Sequence, residues 1–293
     1  MSIQDEAKRL GDILEKQRLV DVLPLAEAAA LQAQDVSNKV SSGYPELDAC
    51  MDGGFREGDF TIISGVPGDG KTTLARMFTL HFGDNNIPCL WFSHEMSIRE
   101  LWESFEKMGA KPDLLSYVPI ELEDDIDWMF THINIAIEKY AVKAVFIDTL
   151  GDVVKSVKRQ QDLANYATYL AQICKDLRQF AIKKNIMIFA VAHATKNTRS
   201  HTNETDNSDI ANSNGIPAAA TNIFHIWRDN ESDSRSFVKI GKSRRDGTKK
   251  NWKLKYQFKD HKLVTEEDVG LSEGQKQTKD ENKAYTEKIW KNF

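Results

Sequence analysis

The stretch Gly65-Val66-Pro67-Gly68-Asp69-Gly70-Lys71-Thr72-Thr73 constrains this chain more than any other, because it satisfies G-x-x-x-x-G-K-[ST] between an apolar run, "FTIIS", and a helical pattern, "LARMFTLHF". Glycines at that spacing let successive backbone N–H groups converge on an anion, and the start of the following helix adds its partial positive charge. Such a loop needs a strand before it and a helix after it. Both are in place, so the reading is a nucleotide-phosphate cradle in which Lys71 reaches the β- and γ-phosphates of ATP and Thr72 ligates Mg²⁺.

The rest of the chain repeats that alternation. Short apolar runs, "FTIIS", "PCLWFS", "AVFID" and "IMIFAVA", alternate with amphipathic segments such as Ile126–Met129–Ile133–Ile137 and Leu163–Ala167–Leu170–Cys174–Leu177–Ala181. Continuous apolar strands between helices predict an α/β fold with a mainly parallel sheet covered on both faces. After Asn222, "NIFHIWR", "SFVKIGK" and "WKLKYQF" read as strands joined by polar turns, an antiparallel extension of that sheet. Residues 1–41 carry Ile3, Ala7, Leu10 and Leu14 at helical spacing, a leader too short to fold alone, and residues 266–293 read as a polar, mobile tail. The ATPase-sized body is 42–265.

Composition bounds the partners. A net charge of −5 over 293 residues gives no global basic field, so contact with nucleic acid must come from local patches. Three scattered cysteines, Cys50, Cys89 and Cys174, argue against a disulfide framework and a zinc site and fit a reducing cytoplasm. No apolar run reaches the roughly 20 residues needed to cross a bilayer, so no membrane partner is expected.

Three residues extend the phosphate loop into a candidate catalytic site. Asp148 ends "AVFID", where a carboxylate can hold the magnesium shell through water or cap the next helix. Glu95, in "SHEM" after a second strand, can orient the attacking water or simply begin a solvated helix. His193 ends a third strand, "FAVAH", and by itself reads more readily as a structural residue than as a sensor.

Taken in order, these motifs resemble the RecA-like motor domain of the DnaB-type, superfamily 4 replicative helicases, in the flavour of phage primase–helicases and Twinkle. The likeness runs from about residue 42 to 258. It begins at "SSGYPELDACMDGGFREGDFTIISG", continues through "FSHEM", "VFIDTLGDV" and "AVAHATKN", and ends at "SDIANSNGIPAAATNIFHIWRDN" and "KIGKSRRDGTK". The resemblance implies that Glu95 is the catalytic glutamate, Asp148 the magnesium aspartate and His193 a γ-phosphate sensor. It also implies that Lys242 and Arg244 form the K-x-R segment supplying an arginine finger to a neighbouring subunit, with Arg245 as a second candidate. The chain departs from the pattern in having "AAATNIF" without the usual acid, and no zinc-binding or primase-like segment is expected before residue 42.

The implied activity is ATP-dependent, Mg²⁺-dependent translocation on single-stranded DNA by a homo-oligomeric, hexameric ring that unwinds duplex. Lys158 and Arg159 after Asp148, and Lys196 and Arg199 after His193, are the candidate DNA contacts. A filament-forming recombinase or repair ATPase of the same superfamily, and an ATP-switched regulatory module resembling circadian-clock ATPases, are the alternatives. The aromatic end of the tail, Trp290 and Phe293, reads as a docking peptide for a replisome partner such as a polymerase, primase or loader, or as a solubility tail.

Overall fold

The computed structural model describes residues 24–26, 39–153, 163–194, 205–210, 215–228, 235–244, 253–257 and 262–265. Residues Met1–Asn38 and Lys39–Phe293 form separate units; Ile3, Ala7, Leu10 and Leu14 of the expected leader, Lys158, Arg159, Lys196, Arg199, Arg245 and the expected tail lie outside the described residues. Within the larger unit the order is α1 (Pro45–Cys50), β1 (Phe60–Gly65), α2 (Lys71–Asp84), β2 (Cys89–Ser93), α3 (Ile98–Glu106), β3 (Ser116–Tyr117), α4 (Ile126–Tyr140) and β4 (Ala144–Asp148). It continues with α5 (Leu163–Lys184), β5 (Met187–His193), α6 (Gly215–Ala219), β6 (Asn222–Trp227), β7 (Arg235–Ser243), β8 (Lys253–Gln257) and β9 (Lys262–Thr265).

These strands form one nine-stranded sheet in the order β3-β2-β4-β5-β1-β6-β7-β8-β9. The first six positions are parallel and the last three antiparallel. The continuous apolar runs have a direct cause: successive residues of a strand point to opposite faces, and here both faces are covered. Ile62, Phe92, Ile147 and Ile188 pack with Met129 and Ile133 of α4 and Ile173 and Leu177 of α5. Their neighbours Ile63, Trp91, Phe146 and Phe189 pack on the other side with Leu74, Phe78 and Phe82 of α2 and Leu101 and Phe105 of α3. The sequence pattern predicts the antiparallel extension as far as β8; β9, and the two-residue edge strand β3, carry too few residues for a periodic signal.

Phe55 is the centre of the second face. It is fully buried, its ring lies edge-on to Phe78, Phe82, Phe189 and Phe224 at centroid distances of 4.8–6.1 Å, and its backbone bridges Val40. Phe55→Ala is expected to lower the free energy of unfolding by about 3–5 kcal/mol, since a cavity between four rings has no small side chain to refill it. Urea unfolding followed by tryptophan fluorescence measures this; a loss below about 1 kcal/mol would mean that the cluster collapses around the gap.

Candidate active site

Four strand ends converge on one edge of the sheet. β1 runs into the glycine-rich loop, β2 into Glu95, β4 ends at Asp148 and β5 at His193. Their neighbourhood is set by register: Gly65 pairs with His193, and Ser93 with Asp148. A crevice at the carboxyl ends of parallel strands is where open α/β sheets take ligands.

The loop has the backbone its sequence requires. Gly68 and Gly70 have φ of +87° and +101°, the left-handed region in which a side chain is strained, and Gly70 is the N-cap of α2 with no side-chain cap. The first N–H groups of α2 therefore face the loop. Gly65 is constrained differently: a Cβ there would lie 2.4 Å from the Ile226 carbonyl oxygen of β6. Lys71 is almost fully buried, with Nζ donating to the Val66 carbonyl at 2.9 Å across the loop. Burial pulls the Lys71 pKa below the usual lysine value, while Asp69, Glu95 and Asp148 act in the opposite sense and favour its charge.

Asp148 is fully buried. One carboxylate oxygen, Oδ2, accepts the Thr72 hydroxyl at 2.8 Å, and the other, Oδ1, is buried without a hydrogen-bond partner. Burial, with a smaller contribution from Glu95, raises its pKa to about 6 against the opposing pull of Thr72, Lys71 and Arg76. An orphaned buried carboxylate oxygen next to a threonine hydroxyl is a donor set that suits Mg²⁺, a hard cation bound by oxygen through one or two protein ligands and water. Thr72 and Asp148 are the residues that would hold it, and neither serves as a helix cap.

Glu95 stands in the turn after β2, where Ser93 Oγ donates to the Met96 carbonyl and the His94 amide to the Asp148 carbonyl. Its Oε1 lies 3.2 Å from His193 Nε2, so two residues that read separately in the sequence form a pair. His193 Nδ1 is buried without a hydrogen-bond partner. Both side chains remain partly exposed toward the crevice, and Glu95 is close enough to bear on the charge states of Lys71 and Asp148. The helix-start role that competes for Glu95 belongs instead to Ser97 and Glu100, which close a capping box on α3.

Lys242 and Arg244 lie elsewhere. β7 runs antiparallel to β6 with Ser243 opposite Asn222, so Arg244 emerges at the amino edge of the parallel strands, where its N–H donates to the Thr221 carbonyl at 3.1 Å. Thr221 in turn bonds to Phe60, the first residue of β1, whereas the phosphate loop starts at Gly65. The length of β1, about 17 Å at roughly 3.3 Å per residue, separates this edge from the loop. In this chain Lys242 Nζ donates to the Pro217 carbonyl and an Arg244 Nη donates to the Ala218 carbonyl, both in α6. Burial, then the positive charges of Arg244 and Arg178, bring the Lys242 pKa down to about 8.

Sequence reasoning misses several residues around these elements. Arg178 of α5 and Thr221 meet at the amino edge, 43 positions apart, with no motif to join them. Asn207 Oδ1 accepts from the buried His225 ring at 2.8 Å while its amide donates to the Gly241 carbonyl at 3.1 Å, tying the segment after residue 204 to β6 and β7. Gly241 is the available signal: a glycine inside a strand marks a close approach, and a Cβ there would lie 2.4 Å from the His225 ring. The three cysteines are buried and free. Among the described residues no helix is long and apolar enough to cross a membrane.

The strand order, with a phosphate loop on the central strand β1, His193 at the end of the neighbouring β5 and acids at the ends of β4 and β2 beyond it, defines a RecA-like P-loop ATPase. The chain belongs to the KaiC ATPase family, whose model, described as "ATPase: KaiC", matches residues 40–204. It is 27% identical to the DNA repair protein RadA of Listeria monocytogenes over 56% of this chain and 34% of that protein. It is 24% identical to the replicative DNA helicase DnaB of Mycoplasma pneumoniae over 69% of this chain and 49% of the helicase. The chain thus spans between a third and a half of the length of these curated relatives. In three dimensions it is similar to a DnaB-like replicative helicase whose structure was described with its interactions with primase, with a TM-score of 0.63 and 19% identity over 83% of this chain and 67% of that one.

Proposed function

We propose that this ATPase, with its motor in residues 42–265, is a hexameric, ring-forming helicase motor that uses ATP and Mg²⁺ to move along single-stranded DNA and unwind duplex. The observation that carries this reading is the split between the two edges of the sheet: the phosphate loop, Thr72, Asp148, Glu95 and His193 at one, Lys242 and Arg244 at the other. A cation group about one strand length from its own phosphate loop cannot serve that loop, but it suits the loop of an adjacent copy. The match to DnaB covers 69% of this chain and the RadA matches 53% to 62%, a difference that supports the helicase over a repair ATPase.

In this reading Lys71 leaves the Val66 carbonyl for the phosphates, and Glu95 orients a water in line with the γ-phosphorus and accepts its proton. His193, on the strand beside the loop, senses the γ-phosphate, and Arg244 of the next copy neutralises charge developing on the transferred group. Mg²⁺ held by Thr72 and Asp148 would supply charge neutralisation to the phosphates. DNA would run past the connections that follow Asp148 and His193, where Lys158, Arg159, Lys196 and Arg199 stand in the sequence. Ring symmetry multiplies so small a patch, which lets a chain of net charge −5 hold a polyanion. A replisome partner would dock on the tail at Trp290 and Phe293.

The test is ATP turnover by the purified chain with and without single-stranded DNA, alongside strand displacement on forks with either a 5′ or a 3′ tail. DNA-stimulated hydrolysis with unwinding from one tail supports the proposal. Stimulation with filaments and no unwinding favours a repair ATPase, and hydrolysis indifferent to DNA favours an ATP-switched regulator. Lys196→Ala/Arg199→Ala is expected to weaken DNA binding and to reduce the slope of log affinity against log salt by about 1.4, at about 0.7 per lost phosphate contact on a single strand. An unchanged slope moves the contact to Lys158 and Arg159.

A further inference from the structure

Thr221 is a junction of three elements. Its N–H donates to the Phe60 carbonyl at 2.7 Å, and its hydroxyl oxygen accepts the Phe60 N–H at 3.2 Å, which fixes it to the start of β1. Its carbonyl accepts the Arg244 N–H. The same hydroxyl also accepts from a guanidinium N–H of Arg178, near the end of α5. Arg178, Thr221 and Arg244 line one cavity of about 330 Å³ with Gly58 and Ile182. The acids at its margin are engaged: Glu57 pairs with Lys143 at 2.8 Å, and the Asp59 carboxylate takes the Arg56 N–H at 2.8 Å.

We propose that Arg178 is a positioning residue for the finger, holding Thr221 so that Arg244 is aimed across the subunit boundary. This rests on the reading of Arg244 as acting in the neighbouring copy's site. The backbone N–H of Arg244 is anchored on the Thr221 carbonyl, and the side chain of Thr221 is tethered to α5 through Arg178. Without that tether the hydroxyl keeps only the Phe60 amide, and the turn carrying the finger loses its link to α5. A guanidinium suits the place for a second reason. Its rigid fork of donors borders the cavity that the neighbour's phosphates would approach, and its charge already bears on Lys242.

The experiment uses full-length chains carrying Arg178→Ala, Arg178→Lys, Thr221→Val, Arg244→Ala or Lys71→Ala, alone and mixed. Arg178→Ala is expected to lower kcat about 10–100-fold, the cost of a finger displaced by about 1 Å, while KM for ATP changes little. Arg178→Lys, which keeps one donor for the Thr221 hydroxyl but not the fork, should recover part of that loss, and Thr221→Val, which keeps the shape and removes the hydroxyl, should reproduce it. Mixing Arg178→Ala with Lys71→Ala should restore turnover, because one class of interface then joins an intact loop to an intact Arg178–Thr221–Arg244 unit. Wild-type kcat in Arg178→Ala or in Thr221→Val overturns the proposal. So does a loss that Lys71→Ala chains do not repair while they do repair Arg244→Ala, since Arg178 would then act within its own chain. If Arg244→Ala is not repaired either, the shared-site reading falls and the proposal with it. Should Arg178→Ala fail to fold by circular dichroism, Thr221→Val carries the same arms.

Discussion

Chains that cannot hydrolyse ATP alone are expected to do so when mixed: Lys71→Ala lacks a working phosphate loop, Arg244→Ala lacks the proposed finger, and under that proposal the interface where each supplies what the other has lost is intact. The geometry behind this is the antiparallel turn of β7, which brings Arg244 back to Thr221 and the start of β1 while the loop lies beyond the end of β1. An arginine finger is worth about 10³–10⁵ in rate, so even a minority of repaired interfaces stands well above either pure mutant. ATPase activity is the right readout, because translocation draws on several competent sites in sequence. No recovery between chains that co-elute as one assembly would assign Arg244 a role within its own chain, and the same mixing with Lys242 and Arg245 variants would follow.

Lys71→Ala and Glu95→Gln are expected to fail in different ways. Lys71 is nearly buried and linked to Val66 across the loop, so its removal takes away a preorganised positive charge; turnover should fall by about 10²–10³ or more and nucleotide binding should weaken. Glu95→Gln keeps the size of the side chain and its contact with His193 Nε2 but cannot accept a proton from water. It should bind ATP as the parent does and turn over about 10²–10⁴ times more slowly. Equilibrium binding of a fluorescent ATP analogue beside steady-state turnover separates the two. Parent-level turnover in Glu95→Gln would remove Glu95 from the chemistry and leave Glu121, on the exposed segment before α4, as the acid to test.

Local pattern makes much of this legible. The glycine-rich loop works through its own backbone: Gly68 and Gly70 need left-handed φ, and α2 follows at once, so the consecutive letters from Gly65 to Thr73 carry the phosphate cradle. The parallel core is equally readable, because burial on both faces imposes an unbroken apolar run on each strand, as in "AVFID" and "IMIFAVA". Asp148 and His193 can be placed at the ligand edge for the same reason, each being the last residue of its strand.

What tertiary structure alone decided involves partners far apart in the chain. Glu95 meets His193 at a separation of 98 residues, and Thr72 meets Asp148 at 76; the strand order that brings β2, β4 and β5 together with β1 is written in no local period. The same holds at the other edge. "KSR" reads identically whether β7 returns Arg244 to its own phosphate loop or carries it away, and only the antiparallel register with β6 sends it to Thr221 and Arg178. The amino-acid sequence by itself determined the phosphate cradle and the twice-covered sheet, because backbone conformation and side-chain alternation are local. Which edge each charge reaches was decided by strand order and direction, which depend on packing the whole sheet at once.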